Sequence, residues 1–327
     1  MPGVLLKLLL AGWLLWTATA LAQEGFQVIP LGVAGGLEED NLSAYLAGPL
    51  DRPVFVALDG GTLRVGVRRA LAAGSVTLPT EEGGGEQIFL NKRIAAYLIS
   101  HAHLDHVAGL VINATDDTPK PILATAGVWA DLQNHLFNWR IWPNFADEGP
   151  PPRLAKYHQQ ILTPGQVISI ADTGMTVEAW PLSHSHGYAS TAFLLNYQGH
   201  YLLYCGDSGP DVVEKEGRLA ALWQRIAPLI RENRLRGILI ESAYPSDRPD
   251  HLLFGHLTPR HLLAELAVLG REVSLQGVQV IITHVKPGSD GLVAMQNRIL
   301  AELQEGNSFG VNFHMARQGE RLILAHQ

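Results

Sequence analysis

Residues 100–106 read Ser-His-Ala-His-Leu-Asp-His, which places three histidines and one aspartate within six positions, directly behind the apolar run 94–99 (Ile-Ala-Ala-Tyr-Leu-Ile). Isoleucine and tyrosine favour an extended, packed backbone, so 94–99 is expected to be a buried strand that releases the cluster into a loop. Side chains two apart on an extended loop point the same way, so His101 and His103 can grip one ion. Asp105 and His106, opening the next helix, can turn towards a second. Neutral imidazole with carboxylate is a ligand set for zinc and related divalent metals. A loop this dense in imidazole without an ion would be self-repelling or idle, so the cluster reads as a metal site.

Elsewhere the chain repeats one theme: apolar strands that stop at His, Asp or Glu. Strands are expected over 26–33, 41–47 and 54–58, split by glycine turns, then a helix over 63–73 and a loop over 78–85. Asp59 ends the third strand before two glycines, either as an ordinary turn residue or as the group that orients a ligating histidine. A helix over 104–111 follows the cluster, with Gly109 permitting close approach. A strand over 122–125 and an amphipathic helix over 126–137 come next. The tryptophan- and proline-rich stretch 139–152 cannot be regular. It reads as a packed surface loop, with an aromatic lip over the site as the alternative.

Strands over 166–170 and 176–182 lead into Ser183-His184-Ser185-His186-Gly187, and a strand over 190–195 follows. The strand 201–204 ends in Cys205-Gly206-Asp207, and a long helix is expected over 211–232 with Pro228 as a kink. The strand 237–240 ends at Glu241. His256 precedes a helix over 259–269 with Thr258 as N-cap and Pro259 at the first helical position. The last strong strand, 278–283, ends at His284, before a helix over 292–304 and an edge strand over 321–325. Active sites of sheet proteins commonly sit at such strand ends.

Composition bounds the rest. With 47% hydrophobic and 17% charged residues, the chain has enough apolar content for a sizeable core. A net charge of −7 supplies no global basic field for nucleic acid, and Cys205, the single cysteine, rules out an internal disulfide. Residues 1–22 carry one charge, Lys7, then an apolar stretch and the small-residue end Ala20-Leu21-Ala22. That pattern is expected to be a secretory signal peptide cleaved before Gln23, with a membrane anchor as the alternative. A periplasmic or secreted protein without stable membrane association after cleavage is therefore expected, with 23–327 as the mature chain.

His101-x-His103-x-Asp105-His106, a later histidine before Ser190-Thr191-Ala192-Phe193, Gly206-Asp207 and Thr283-His284 resemble the five motifs of the metallo-β-lactamase superfamily. More narrowly, four shorter stretches resemble the class II 3′,5′-cyclic-nucleotide phosphodiesterases. These are His-x-His-Leu-Asp-His-x-x-Gly, Gly36-x4-Asn41-Leu42-Ser43, Leu58-Asp59-x-Gly61-Thr62 and Gly255-His256-Leu257-Thr258-Pro259. The resemblance implies an α/β fold, an αββα sandwich of two facing mixed β-sheets flanked by helices, formed by 23–327 as a single catalytic domain. It also implies two divalent metal ions, zinc first, with manganese, iron or cobalt as alternatives. His101, His103 and His186 would hold the first ion; Asp105, His106 and His284 the second; Asp207 would bridge them. His186 is preferred to His184 because the family places its ligand four residues before the serine that opens the next strand. His184 stays as the rival.

The chemistry so implied is hydrolysis of the 3′ phosphoester of cyclic AMP or cyclic GMP to the 5′-nucleotide. Ions about 3.5–4 Å apart can share a hydroxide nucleophile and stabilise attacking and leaving oxygens. Asp105, His256 and Glu241 carry the catalytic assignments: His256 as proton donor to the leaving oxygen, Glu241 as support for its proton traffic, and Asp105 at the metals. The partner is a small cyclic nucleotide, and monomer or homodimer is left open. The alternatives are another hydrolase of the superfamily (arylsulfatase-like, β-lactamase, a 3′-processing tRNA nuclease or another phosphodiesterase), or a non-catalytic periplasmic metal-binding or sensing module.

Overall fold

A computed structural model describes residues 24–78, 83, 85–185 and 187–325. The leader-like stretch 1–22 lies outside the described residues, as does most of 79–84. Six strands come first: β1 (Gly25–Gly32), β2 (Ala44–Pro49), β3 (Phe55–Leu58), β4 (Ile94–Leu98), β5 (Lys120–Ala124) and β6 (Tyr157–Ile161). Seven more follow: β7 (Val167–Ser169), β8 (Thr176–His184), β9 (Tyr188–Tyr197), β10 (His200–Cys205), β11 (Leu235–Glu241), β12 (Gln279–Thr283) and β13 (Asn312–Met315). The last, β14 (Leu322–Ala325), returns to pair with β1 as an edge strand. Two seven-stranded mixed sheets result, in the orders β14-β1-β2-β3-β4-β5-β6 and β13-β12-β11-β10-β9-β8-β7.

Period-two alternation sorts the apolar residues into layers. On β1, Phe26 and Val28 face the other sheet while Ile29 and Leu31 face helices; on β9, Phe193 and Leu195 turn inward while Ala192 and Leu194 turn out. The inner cluster joins Tyr45, Leu58 and Leu98 of the first sheet to Leu202, Leu239 and Ile281 of the second. Outside the first sheet pack α1 (Arg64–Ala72), α2 (Glu86–Arg93), α3 (Leu104–Asn113) and α4 (Ala126–Asp131), through Val67, Phe89, Leu110 and Trp129. The second sheet carries α5 (Asp211–Glu214), α6 (Arg218–Arg231), α7 (Pro259–Glu272) and α8 (Leu292–Glu305); its outer core takes Trp223, Leu266 and Ile299 from the last three. Burial on both faces explains why the central strands read as near-continuous apolar runs.

Several expectations change. The helix expected over 211–232 is two, broken where Lys215 and Gly217 both take left-handed conformations. The helix over 126–137 leaves α geometry after Asp131 and continues as a π-helical stretch, Leu132–Leu136. Thr258 stands at the N-terminus of α7, but its hydroxyl pairs with His261 Nδ1 at 2.8 Å rather than capping a backbone N–H. Helix α2 and strands β6 and β13 were not expected. Stretch 139–152 is a packed loop: Trp139 Nε1 donates to Pro152 O at 2.9 Å, and Phe145 and Ala146 enter the core.

A buried polar knot binds the parallel strands of the first sheet. Asp117 accepts from Tyr97 OH (2.7 Å) and Tyr157 OH (3.0 Å) and pairs with Lys120 Nζ (2.8 Å), joining β4, β5 and β6. Removing one partner of such a buried pair costs about 3–5 kcal/mol. Gly109 lets α3 sit against the turn after β3: its N–H donates to Gly61 O at 2.8 Å, and a Cβ there would stand 2.7 Å from that oxygen.

Candidate active site

Parallel strands present their carboxyl ends on one side, where α/β sheets gather ligands. Asp59 follows β3, His101 follows β4, Asp207 follows β10, Glu241 ends β11 and His284 follows β12. His184 ends β8 at the same edge. His103 immediately precedes α3, and Asp105 and His106 lie in its first turn. Two sheets and one helix thus bring five imidazoles and four carboxylates together.

The side chains fall into overlapping groups whose ligand atoms lie within 4.8 Å of one another: His101, His103 and His184; His101, His106 and Asp207; Asp105, His106 and His284. Asp207 stands between them, with Oδ1 at 3.2 Å from His106 Nε2 and Oδ2 at 3.1 Å from His284 Nε2 and 3.9 Å from His184 Nε2. Asp105 Oδ2 is 3.2 Å from His284 Nε2. Among the described residues, the third imidazole beside His101 and His103 is that of His184, the rival candidate; His186 lies outside the described residues. The physical reason is register. The ladder runs unbroken through the pair His184–Tyr188, so the strand itself fixes residue 184 at the site.

His101, His106 and His184 are held from behind. Asp59, fully buried at φ +58, accepts from Ser100 N (2.7 Å), Ser100 Oγ (2.7 Å), Tyr204 OH (2.6 Å) and His106 Nδ1 (2.8 Å). Of its two sequence readings, the orienting one describes what it does. His101 Nδ1 meets Ser100 Oγ at 3.0 Å, and His184 Nδ1 donates to Gly255 O at 2.8 Å. The Tyr188 ring stacks on His103 at 4.8 Å, with its hydroxyl donating to Asp131. With their rear nitrogens engaged, Nε2 of His101 and of His106 are buried without a hydrogen-bond partner. Unsatisfied buried nitrogens cost about 1–3 kcal/mol each, and a divalent ion is what this donor set fits.

Electrostatics agree with a cation site. Burial holds His101 well below its ordinary pKa and brings His184 down to about 4, so both are neutral donors. Burial would lower His106 too, but the carboxylates of Asp207 and Asp59 raise it well above the usual value. Burial would raise Asp207 and Asp105. His106 and His284 outweigh it at Asp207, and a hydrogen bond from His284 does so at Asp105, so both stay well below the carboxylate range.

His256 and Glu241 form the remaining pair, His256 Nδ1 lying 3.0 Å from Glu241 Oε2 while Ser208 N donates to Oε1 at 2.7 Å. Burial brings His256 down to about 3; burial and the Asp207 charge push Glu241 well above the carboxylate range. Both shifts favour an uncharged pair sharing protons. A cavity of about 360 Å³ opens over the cluster, lined among others by Asp207, His256, Tyr188, Phe254 and Lys286. Lys286 Nζ donates to Gly35 O at 3.0 Å. Sequence reasoning passed over Lys286, Tyr188 and Phe254. The signal for Lys286 was its place two residues after His284.

Comparison with known proteins matches this arrangement. The family model for class-II cAMP phosphodiesterases covers residues 25–319. A 3′,5′-cyclic-nucleotide phosphodiesterase of Aliivibrio fischeri is 39% identical over 309 residues, spanning 92% of this chain and 94% of its own. The crystal structure of unliganded yeast PDE1 superposes with a TM-score of 0.81 at 25% identity, over 92% of this chain and all of that one. The metallo-β-lactamase fold protein YhfI of Bacillus subtilis, at 15% identity and a TM-score of 0.60 over 92% of this chain and all of its own, shares the fold. With two sheets, six site-bearing strand ends and a family match along nearly the whole described length, the chain belongs to the class-II cAMP phosphodiesterases.

Proposed function

We propose that this chain hydrolyses the 3′ phosphoester of 3′,5′-cyclic nucleotides with two divalent ions, zinc by donor chemistry, held by His101, His103 and His184 on one side and by Asp105, His106 and His284 on the other. Asp207 spans both sets. The observation that carries the reading is the pair of buried Nε2 atoms, on His101 and His106, that converge on Asp207 with no protein hydrogen bond.

When bound, such ions supply Lewis acidity at phosphorus and lower the pKa of water. The protein does the rest. Lys286 lines the cavity as a fixed cation for the anionic phosphodiester. Water attacks phosphorus opposite the 3′-oxygen and sheds one proton to solvent, from which the His256–Glu241 pair is restored after turnover; the P–O3′ bond breaks, and O3′ takes a proton. His256 is placed to give it: Nδ1 faces Glu241, which leaves Nε2 for the cavity. As Nε2 releases its proton, Glu241, which burial keeps protonated, replaces it at Nδ1. The product is the 5′-nucleotide. The leader-like pattern of residues 1–22 supports an exported enzyme whose mature chain begins at Gln23.

Purified protein given cyclic AMP is expected to release 5′-AMP, with no 3′-AMP. His256→Ala is expected to lose about 10²–10⁴-fold in kcat. Fully metal-loaded protein that turns over neither cyclic AMP nor cyclic GMP would sink the reading.

A further inference from the structure

Residues 253–256 form one tight loop that serves the site from two directions. Leu253 is buried, and His256 enters the site beside Glu241. Gly255, at φ +76, is pressed onto His184, where a Cβ would meet Ser185 N at 2.2 Å. Between these anchors stands Phe254, at φ +53 and 55% exposed. A bulky aromatic in left-handed conformation is an outlier with a cost, and such outliers cluster where a binding site requires them.

Phe254 lines the 360 Å³ cavity over the metal-ligand cluster and also a neighbouring cavity of about 310 Å³. Among the described residues Ser185 and Phe254 border both, and of these Phe254 is the one with a ring to stand between them. Its orientation is braced from the protein side. The Arg248 guanidinium lies 5.8 Å from the Phe254 centroid and 4.4 Å from that of Tyr244, and Arg248 Nε donates to Leu252 O at 2.9 Å. Leu37 and Leu104, exposed apolar residues near the ligands in sequence or space, border neither cavity and have no π face.

Resting on the phosphodiesterase reading, we propose that Phe254 is the platform on which the substrate's nucleobase stacks, the neighbouring cavity receiving the base while the phosphate lies over the histidines. A cyclic nucleotide is a rigid anion carrying a flat aromatic group, and an exposed ring beside a cation site is complementary to both parts. Because every base offers a π face, the platform serves adenine and guanine alike.

The test compares wild type, Phe254→Ala and Phe254→Trp on cyclic AMP, cyclic GMP and base-free ribose 3′,5′-cyclic phosphate. Phe254→Ala is expected to raise KM for both nucleotides about tenfold, the loss of one base–aromatic stack, with kcat little changed. The base-free substrate is expected to respond equally to all three proteins, and Phe254→Trp to restore the nucleotide KM. Unchanged KM in Phe254→Ala, or an equal loss on the base-free substrate, overturns the proposal and leaves the phosphodiesterase reading standing. A wild type inert towards all three substrates overturns both.

Discussion

His184 is held at the last rung of β8 with its proton placed for it. The Gly255 carbonyl can only accept, so Nδ1 carries the hydrogen and Nε2 keeps its lone pair, 3.2 Å from His103 Nδ1 and 3.9 Å from Asp207 Oδ2. An imidazole with its rear N–H on a carbonyl is the arrangement metal-binding histidines adopt. Burial brings its pKa down to about 4, which keeps it neutral at neutral pH. His184→Ala is therefore expected to reduce metal content from about two ions per chain towards one and to abolish turnover, with His186→Ala retaining both. Metal analysis of desalted protein beside kcat decides it. The reverse pattern would return the ligand role to His186.

At the scale of elements, Asp59 is the joint. It stands after β3, takes the backbone and hydroxyl of Ser100 after β4, the hydroxyl of Tyr204 on β10 and the rear nitrogen of His106 on α3. One carboxylate thus ties both sheets and a helix to the geometry of one ligand. Asp59→Asn keeps the volume but turns a donor towards His106 Nδ1, favouring the tautomer with hydrogen on Nε2, where the ion would bind. Metal affinity is expected to fall about 10–100-fold with far-UV circular dichroism unchanged, measured by competition with a chelator. Unchanged affinity would reduce Asp59 to a turn residue. How the sequence showed these parts follows from which forces are local. The central strands announce themselves because burial on both faces demands apolar runs, and β3, β4, β10, β11 and β12 stop at a site residue. The edge strands β6 and β13, partly exposed and polar, lack that signal. The break between α5 and α6 depends on left-handed Lys215, which lysine does not advertise. Asp59 was ambiguous because its partners lie 41 to 145 residues away in the chain. Counting back from Ser190 favours His186, whereas the strand ladder, a non-local pairing that counting does not see, sets His184 at the cluster.

Across the whole molecule, folding gathers four imidazoles that burial keeps from protonation. His101 is held well below its ordinary value, His103 is lowered, His184 falls to about 4 and His256 to about 3. The unfolded chain protonates these groups at the ordinary 6.5, so between about 6.5 and 3 it binds more protons than the folded protein, and stability falls as pH drops. His106 works the other way: its raised value contributes stability that is present below 6.5 and lost as pH rises through its folded value. Glu241, raised well above the carboxylate value of 4.5, has the same sign as His106, so two groups oppose four. The depressed values of Asp105 and Asp207 contribute stability lost only as pH falls below about 3.8, outside this part of the range. Metal-free protein is therefore expected to unfold at lower urea concentration at pH 5 than at pH 7. Metal-loaded protein is expected to show a wider gap, because protons also compete with the ions for the same nitrogens and weaken the stabilisation that binding confers. Urea midpoints of both forms at the two pH values test this. Metal-free protein that is more stable at pH 5 would mean that His106 and Glu241 dominate the cluster, and that the site is organised around a buried imidazolium and a protonated carboxyl rather than around neutral donors awaiting a cation.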